Sequence, residues 1–374
     1  MKKFLKKGNY WRNLDKQILV SFVLLFTLGI FFSFSSTSFL ADERLNKSYY
    51  FFFQKHLLYA LVSFSLMILL SIIDTEIINK ALAPIFLLSL ILLILVPILG
   101  VEVKGAKRWL DIYIFRFQPV EFVKPFFILI VARIISSDRI KSLNSSHLIS
   151  FVLLSLITGL LLLQPDIGQT VLLISTWMSL IFISGFNVLF LLLIFTIIVV
   201  LFFAMLNIAP EKFNYIITRI TSFVEPEKSG NFQSQKAIEA IKQGGLKGQG
   251  MGEGILKESV PEAHTDYIIA VVSEEFGSLV SILIISIFLF ISFRIIKKVV
   301  NSSDNFYKLS LCGLVTLLIF QTFIHVGVNA NLLPTTGMTL PFLSYGGSSL
   351  LSSGIIAGIL LNYTSFQKKN DEEI

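Results

Sequence analysis

A carboxylate at the edge of a hydrophobic run is the feature of this sequence with the clearest chemical potential. A polar stretch of about Pro210–His264 interrupts the apolar runs, and Pro261–Asp266 closes it where the next apolar run begins. An aspartate in this position either caps the following helix or takes a proton from a substrate as a general base. Thr265 and Asp266 both have the residue type of an N-cap, so the sequence leaves both roles of Asp266 open.

A second set of charges lies inside an apolar run. Residues 119–137 are typical of a helix, yet they include Glu121, Lys124 and Arg133, and charges in such a run are rare and costly. Glu121 and Lys124 are three residues apart and therefore share one helix face. They predict either an ion pair that makes the burial of both charges tolerable, or the lining of a polar cavity that receives a ligand.

Four other polar residues are candidates for supporting roles. Asp166 follows Pro165 and is expected to cap the next helix at a tight turn. His264 is expected to be a hydrogen-bonded loop residue. Glu274 and Glu275 lie about two turns into the helix that follows Asp266, and a buried network with the helix at 119–137 is our hypothesis for them.

The composition identifies the class of protein that must position these residues. Of the 374 residues, 54% are hydrophobic and 15% are charged, which indicates an integral membrane protein with several spans. The one cysteine, Cys312, excludes an internal disulfide, and the four scattered histidines lack the spacing of a zinc site. No metal ligands are therefore assigned.

Apolar runs of about 20 residues predict an all-α fold with ten transmembrane helices. We place these spans near residues 17–38, 53–73, 79–99, 119–137, 147–164, 167–185, 188–208, 267–293, 309–330 and 340–362. A single domain results, with a basic tail at 1–16, spans one to seven within 17–208, a large extracytoplasmic loop at 209–266, spans eight to ten within 267–362, and a tail at 363–374.

The distribution of Lys and Arg predicts the orientation of these spans. With ten spans, both tails and the connections that contain Arg139, Lys141 and Arg294 fall on one side, which should be cytoplasmic. The net charge of +7 is therefore a topology signal and gives no reason to invoke nucleic acid. The polar stretch that ends at Asp266 then lies on the opposite face.

A glycine-rich run, Gly244–Gly254, lies within the polar stretch. It lacks the Gly-Lys-Ser/Thr of a nucleotide-binding loop and is predicted to lie outside the cytoplasm, so a nucleotide site is not expected. The alternatives are a flexible loop with several positive-φ turns, which we favour, and a direct phosphate cradle. An activated substrate on this face would have to arrive attached to a lipid.

Several ordered motifs resemble those of one known family across nearly the whole chain. They are Gly105–Asp111, Phe117–Lys124, Gln164–Gly168, Gly244–Gly254, Pro261–Tyr267, Glu274–Gly277 and Leu333–Ser349. The family is that of the SEDS proteins (shape, elongation, division and sporulation). Val120 stands where that family usually has serine, and Tyr267 stands where it usually has phenylalanine. Thr339–Ser344 is more similar to the cell-division member than to the elongation member.

The resemblance implies a membrane glycosyltransferase that polymerises peptidoglycan from lipid II and a growing lipid-linked glycan. It implies Asp266 as the general base, and it makes Arg108 and Lys124, with Glu121 beside it, the candidates for holding the pyrophosphate leaving group. No cofactor is assigned. A divalent cation that bridges phosphate and carboxylate is an open alternative, because too few acidic ligands are assured to assert one.

The resemblance also implies partners and a location. The partners are a single-span class B penicillin-binding transpeptidase and other division proteins, and the location is the bacterial inner membrane, at the division septum. Two interpretations from other classes stay open: a transporter that flips lipid II, which would need charges along a translocation path, and a non-catalytic scaffold of the division machinery. An elongation-type polymerase is the alternative within the family.

Overall fold

The computed structural model describes most of the chain. The described residues are 13–45, 50–103, 105–112, 115–137, 143–187, 214–224, 232–259, 263–300 and 304–373, with Ser302 and a few single positions between 188 and 200. In these ranges the helices are α1 Lys16–Leu45, α2 Phe51–Ile72, α3 Thr75–Leu99, α4 Pro119–Ile135, α5 Leu143–Leu163, α6 Ile167–Ile183, α7 Asn214–Val224, α8 Phe232–Gly244, α9 Leu256–Ser259, α10 Ile268–Phe276, α11 Ser278–Val299, α12 Asn305–Asn329 and α13 Gly347–Glu373.

The protein is a mostly helical, multi-span membrane protein. Within the described residues, α1, α2, α3, α5, α11, α12 and α13 are long and apolar enough to cross a bilayer, and α6 is a shorter apolar helix. The fourth predicted span corresponds to α4, which has 17 residues. The seventh, 188–208, lies largely outside the described residues. The number of ten spans therefore stays a prediction.

Aspartate side chains begin several of the described helices. Asp74, Asp166 and Asp304 are the N-caps of α3, α6 and α12, and each carboxylate accepts a hydrogen bond from a backbone N–H group of the first turn. Asp15 does the same before α1 by accepting from the N–H of Gln17. The expectation that Asp166 caps the helix after Pro165 is confirmed.

The predicted eighth span, 267–293, was wrong as one continuous helix. The chain breaks at Gly277, where φ is 87°, so that α10 ends at Phe276 and the membrane-length helix α11 begins at Ser278. A side chain at this position would overlap the carbonyl of Leu246. The break is therefore made by the glycine-rich run, which packs on the end of α10: the N–H groups of Gln249 and Gly250 donate to the carbonyls of Glu274 and Glu275.

The glycine-rich run has the predicted positive-φ turns. Gly245, Gly248, Gly250 and Gly252 have φ values of 54°, 82°, 120° and 90°. The remainder of the polar stretch is also structured where it is described, since it contains α7, α8 and α9. The run follows α8 and is held against α10, so it acts as a packed connection between helices.

A small antiparallel sheet was missed by the all-α prediction. The strands β1 Val101–Val103, β2 Ala106–Ile112 and β3 Phe115–Phe117 pair in the order β1-β2-β3, with Val101 opposite Trp109 and Leu110 opposite Phe117. The sheet connects α3 to α4, and Pro119 begins α4 directly after it. It places Arg108, in the middle of β2, beside the turn between α5 and α6.

Helix α13 is the most buried of the membrane-length helices that the structure describes, and it packs along α2. Gly354 allows this approach, because a Cβ there would overlap Ser63 of α2. Near the other end of the same contact, Asn362 donates from Nδ2 to the carbonyls of Leu70 (2.8 Å) and Ile73 (2.7 Å) and accepts from the hydroxyl of Thr75. Asn362 therefore satisfies the backbone where α2 turns into α3.

Candidate functional site

The turn that carries Asp266, residues 263–267, is fixed by three successive backbone carbonyls. The carbonyl of His264 accepts from the N–H of Tyr345 (3.0 Å), and that of Thr265 accepts from the Ser344 hydroxyl (2.7 Å). The carbonyl of Asp266 accepts from Nδ2 of Asn329 (2.9 Å). We call residues 263–267 the Asp266 turn. Its backbone is bound on the side of α12 and of residues 330–346, the segment that connects α12 to α13.

The N-cap interpretation of Asp266 is wrong. Helix α10 begins at Ile268, and its N-cap position is occupied by Tyr267, whose side chain makes no capping hydrogen bond. The N–H of Ala270, in the first turn, donates instead to Oδ1 of Asn329 (3.0 Å). Neither Thr265 nor Asp266 is at the capping position, because a residue of α12 provides the acceptor for this turn.

The carboxylate of Asp266 lies next to the connecting segment. The residue is partly exposed, and its Oδ2 is close to Gly337, where an added Cβ would be 3.6 Å away. Gly337 has φ of 69°, a conformation that side chains rarely adopt. The connecting segment therefore passes beside the carboxylate with its backbone and not with a side chain.

His264 is a buried member of the Asp266 turn. Its ring contacts those of Phe52 (centroids 5.1 Å apart) and Tyr345 (5.4 Å). The expectation of a hydrogen-bonded loop residue agrees with the bond between its carbonyl and Tyr345. The ring packing anchors the turn against α2.

A second polar cluster surrounds the turn between α5 and α6. Arg108 donates from Nε to the carbonyl of Gln164 (3.1 Å) and from Nη2 to that of Pro165, and its Nε is 3.9 Å from Oδ2 of Asp166. Gln118 donates to the same oxygen of Asp166 (3.1 Å). Burial raises the pKa of the Asp166 carboxyl, and the positive charge of Arg108 opposes that rise.

The predicted ion pair of α4 is present and is buried inside the protein. Lys124 is completely buried, and its Nζ is 2.9 Å from Oε1 of Glu121 and 3.3 Å from Oε1 of Gln321. Gln169 also donates to Oε1 of Glu121 (2.9 Å). Both partners of the pair are thus engaged by neighbouring helices inside the protein, which is the condition under which buried charges are tolerated.

The connecting segment joins these clusters to the Asp266 turn. Gln321, which accepts from Lys124, donates from Nε2 to the carbonyl of Thr339 (3.0 Å). Gly168, two residues after Asp166, faces Thr336 and Met338 so closely that a side chain would meet both. Arg108, Asp166, Glu121 and Lys124 therefore lie at the same end of the helical bundle as Asp266.

Glu274 and Glu275 are buried, but the predicted network with α4 was wrong, because their carboxylates bind other elements. The carboxylate of Glu274 accepts from the N–H groups of Ile255 (2.8 Å) and Leu256, and that of Glu275 accepts from the hydroxyl of Ser35 in α1. Glu274 is eight residues beyond Asp266, or about 12 Å along a helix. These glutamates hold the far end of α10, and Glu274 occupies N–H groups just after the glycine-rich run.

Sequence reasoning did not assign several residues of this region to the Asp266 turn. Asn329, Ser344 and Tyr345 hold the Asp266 turn from distant positions in the chain, and Arg219 of α7 donates from Nη1 to the carbonyl of Thr335 (2.8 Å). Burial raises the pKa of the Tyr267 phenol, Asp266 adds to the rise, and Arg219 opposes it. Arg219 is thus within electrostatic reach of the Asp266 turn. Its one signal in the sequence is an arginine on a short amphipathic helix.

The acidic and imidazole side chains do not form a metal cage in the part of the chain that the structure describes. No group of three or more His, Cys, Asp or Glu side chains converges there. A divalent cation at this end of the bundle would have the Asp266 carboxylate and substrate phosphates as its ligands, in the way that proteins often hold Mg²⁺. We derive no step through a metal.

Comparison with known sequences gives one consistent result. A family model described as "Cell cycle protein", for FtsW, RodA and SpoVE, matches residues 15–369. The chain is 34% identical over 354 residues to a probable peptidoglycan glycosyltransferase FtsW of Caulobacter vibrioides, covering 95% of this chain and 90% of that protein. It is 33% identical to the protein of the same description from Haemophilus influenzae, covering 93% and 89%.

Solved structures share the fold at lower identity. A chain of a structure described as "Structural coordination of polymerization and crosslinking by a peptidoglycan synthase complex" superposes with a TM-score of 0.78 at 22% identity, covering 95% of this chain and 98% of that one. The rod shape determining protein RodA of Thermus thermophilus superposes with a TM-score of 0.70 at 22% identity, covering 96% and 99%.

Proposed function

The chain belongs to the FtsW, RodA and SpoVE family of cell cycle proteins, and from that membership we propose that it is a peptidoglycan glycosyltransferase that polymerises lipid II for septal wall synthesis. The observation that carries the proposal is the match to relatives described as probable peptidoglycan glycosyltransferases, which extends over 95% of the chain. The geometry of Asp266 agrees with it, because this residue is partly exposed and does not occupy the N-cap position of α10.

We propose Asp266 as the general base. In the reaction, its carboxylate takes the proton of an acceptor sugar hydroxyl, and the oxygen attacks the anomeric carbon of the α-linked donor. The bond from that carbon to the pyrophosphate breaks, and its electron pair leaves with the lipid pyrophosphate. Attack opposite the leaving group gives a β-linked product. The bound carbonyls of the Asp266 turn support this role, since they limit where the carboxylate can lie.

Cationic side chains would stabilise the charge that develops on the leaving pyrophosphate. Arg108 and Arg219 are our candidates for direct contact, because both are arginines held at this end of the bundle by backbone carbonyls. Lys124 is fully buried and paired with Glu121, so we propose that it acts indirectly, through Gln321 and the connecting segment.

We propose that this end of the bundle faces the outside of the cytoplasmic membrane and that both termini are cytoplasmic. The proposal follows the distribution of Lys and Arg over ten spans. The structural relative described as a peptidoglycan synthase complex that coordinates polymerisation and crosslinking supports a transpeptidase partner. We take that partner to be a class B penicillin-binding protein at the division septum.

Polymerisation and transport make different predictions for the purified protein. With its transpeptidase partner and labelled lipid II in detergent, a polymerase yields a ladder of glycan chains. In sealed vesicles without polymerisation, a flippase exposes labelled lipid II to a reagent added outside. We expect the ladder and no Asp266-dependent exposure. Exposure that is lost in Asp266→Asn, with no ladder from the wild type, would favour transport.

Arg108→Gln is expected to raise the KM for lipid II about tenfold, because the substitution removes a positive charge beside the proposed pyrophosphate position. Arg133→Gln is a matched control at the other end of the bundle, where Arg133 donates to the carbonyl of Asn79. Initial rates of polymerisation against lipid II concentration measure both effects. Equal KM values for Arg108→Gln and Arg133→Gln, at equal unfolding temperatures, would remove Arg108 from substrate binding.

A further inference from the structure

One face of α12 contains three polar side chains at four-residue spacing. Gln321, His325 and Asn329 are 3%, 1% and 0% exposed, although α12 is one of the membrane-length helices. Residues four apart lie above one another on a helix, so these side chains form a continuous polar stripe. Buried polar groups in a membrane helix are costly without hydrogen bonds. The hydrogen-bond partners of these three side chains therefore show which segments of the chain the stripe binds.

Two members of the stripe hold the connecting segment. Gln321 donates to the carbonyl of Thr339 (3.0 Å), and Nδ1 of His325 is 2.8 Å from the carbonyl of Met338. Because a carbonyl oxygen only accepts, Nδ1 of His325 must carry the proton. The stripe thus fixes the backbone of the segment that passes beside the Asp266 carboxylate.

Asn329 holds the Asp266 turn itself. Its Nδ2 donates to the carbonyls of Asp266 (2.9 Å) and His325 (2.8 Å), and its Oδ1 accepts from the N–H of Ala270 (3.0 Å). These partners also fix the orientation of the amide, since two carbonyls need donors and the N–H needs an acceptor. One side chain thereby binds the backbone of the Asp266 turn and the backbone of the first turn of α10.

We propose that Asn329 is a positioning residue for Asp266. The inference rests on the proposed role of Asp266 as general base. The buried stripe holds α12 and the connecting segment together, and Asn329 binds the backbone carbonyl of Asp266 to α12. The Asp266 carboxylate is thereby kept in position to take the proton of the acceptor hydroxyl. A displacement of about 1 Å at a reacting group can cost about 100-fold in rate.

The amide side chain of Asn329 is required for these hydrogen bonds, because it provides both donors and an acceptor. Alanine would remove all three hydrogen bonds, which leaves the carbonyl of Asp266 without its contact to α12. The chain offers a matched control in Asn362, an equally buried asparagine that also donates from Nδ2 to backbone carbonyls, those of Leu70, Ser71 and Ile73, and accepts a hydrogen bond at Oδ1. Asn362 lies 15 residues into α13, about 22 Å from the beginning of that helix beside the site.

The test compares wild type, Asn329→Ala, Asn362→Ala and Asp266→Asn in polymerisation of lipid II, with thermal unfolding measured on each purified protein. Asn329→Ala is expected to lower kcat about 100-fold with KM changed less than about threefold. Asn362→Ala is expected to keep kcat within about threefold at a comparable loss of unfolding temperature. If Asn329→Ala does not fold, Ser344→Ala, which releases the carbonyl of Thr265, is expected to lower kcat about tenfold.

Three results would overturn the inference. The first is a wild-type kcat for Asn329→Ala or, where that variant does not fold, for Ser344→Ala. The second is an equal loss of kcat in Asn329→Ala and Asn362→Ala at matched unfolding temperatures, which would mean a general effect on folding. The third is full activity of Asp266→Asn, which overturns the proposed base as well. An inactive Asp266→Asn beside an active Asn329→Ala overturns the positioning role alone.

Discussion

Lys124→Met is expected to lower the free energy of unfolding by about 3–5 kcal/mol, because it leaves the Glu121 carboxylate buried without its cation. Lys124 is completely buried and Glu121 is 3% exposed, so water does not replace the lost partner. Gln169 still donates to Glu121, but one neutral hydrogen bond does not compensate a buried negative charge. Thermal and denaturant unfolding of the purified protein measures the loss.

The double variant Glu121→Gln/Lys124→Met separates the ion pair from simple packing. It removes both charges, and we expect it to recover most of the stability that Lys124→Met loses. Lys80→Met is the matched control, since Lys80 pairs with Glu76 at 3.7 Å but both side chains are about four-fifths exposed. That substitution should change stability by less than about 1 kcal/mol. Additive losses in the double variant would contradict the ion-pair account.

Asp266→Asn is expected to lower the rate of polymerisation about 1,000-fold while the protein stays folded. Asparagine keeps the size of the side chain but cannot take the proton of the acceptor hydroxyl, and general bases contribute about 10²–10⁴-fold. The hydrogen bonds that bind the turn to Asn329, Ser344 and Tyr345 are accepted by the backbone carbonyls of residues 264–266, which the substitution retains. The unfolding temperature should therefore change little, and initial rates at saturating lipid II measure the loss.

Asp266→Glu provides a comparison in which a carboxylate is retained but displaced. We expect it to keep measurable activity, above that of Asp266→Asn, because proton transfer remains chemically allowed. Equal activities of the two variants would mean that the position of the carboxylate, or another group, is what the reaction requires.

The long apolar runs predicted most membrane helices because the length that a bilayer requires is encoded locally. The break at Gly277 was missed for the opposite reason. The residues on both sides of Gly277 are largely apolar, and the break depends on distant residues, since the N–H groups of Gln249 and Gly250 bind the last carbonyls of α10. The strands at 101–117 were missed because segments of three to seven residues next to a span carry little periodic signal.

The residues of the candidate site also fall into two groups, those that the sequence indicated and those that it did not. Asp266 and the Glu121–Lys124 pair were found because charges at the edge of an apolar run, or inside one, are conspicuous in the sequence. Arg108 was named only through the resemblance of Gly105–Asp111 to a SEDS motif. Asn329 and Ser344 were not assigned to Asp266, since neutral polar residues are common and their partners are more than 60 positions away in the chain. The partners of Glu274 and Glu275 were wrong because helix spacing predicts a face but not the element that covers it.

The most direct test of the proposed function is glycan polymerisation by the purified protein with its transpeptidase partner on labelled lipid II, with wild type and Asp266→Asn compared at equal unfolding temperatures. We predict a ladder of glycan chains from the wild type and none from Asp266→Asn in the same time. An equal ladder from the variant would contradict the role of Asp266 as base. The absence of a ladder from a folded complex of the wild type with its partner would contradict the polymerase assignment.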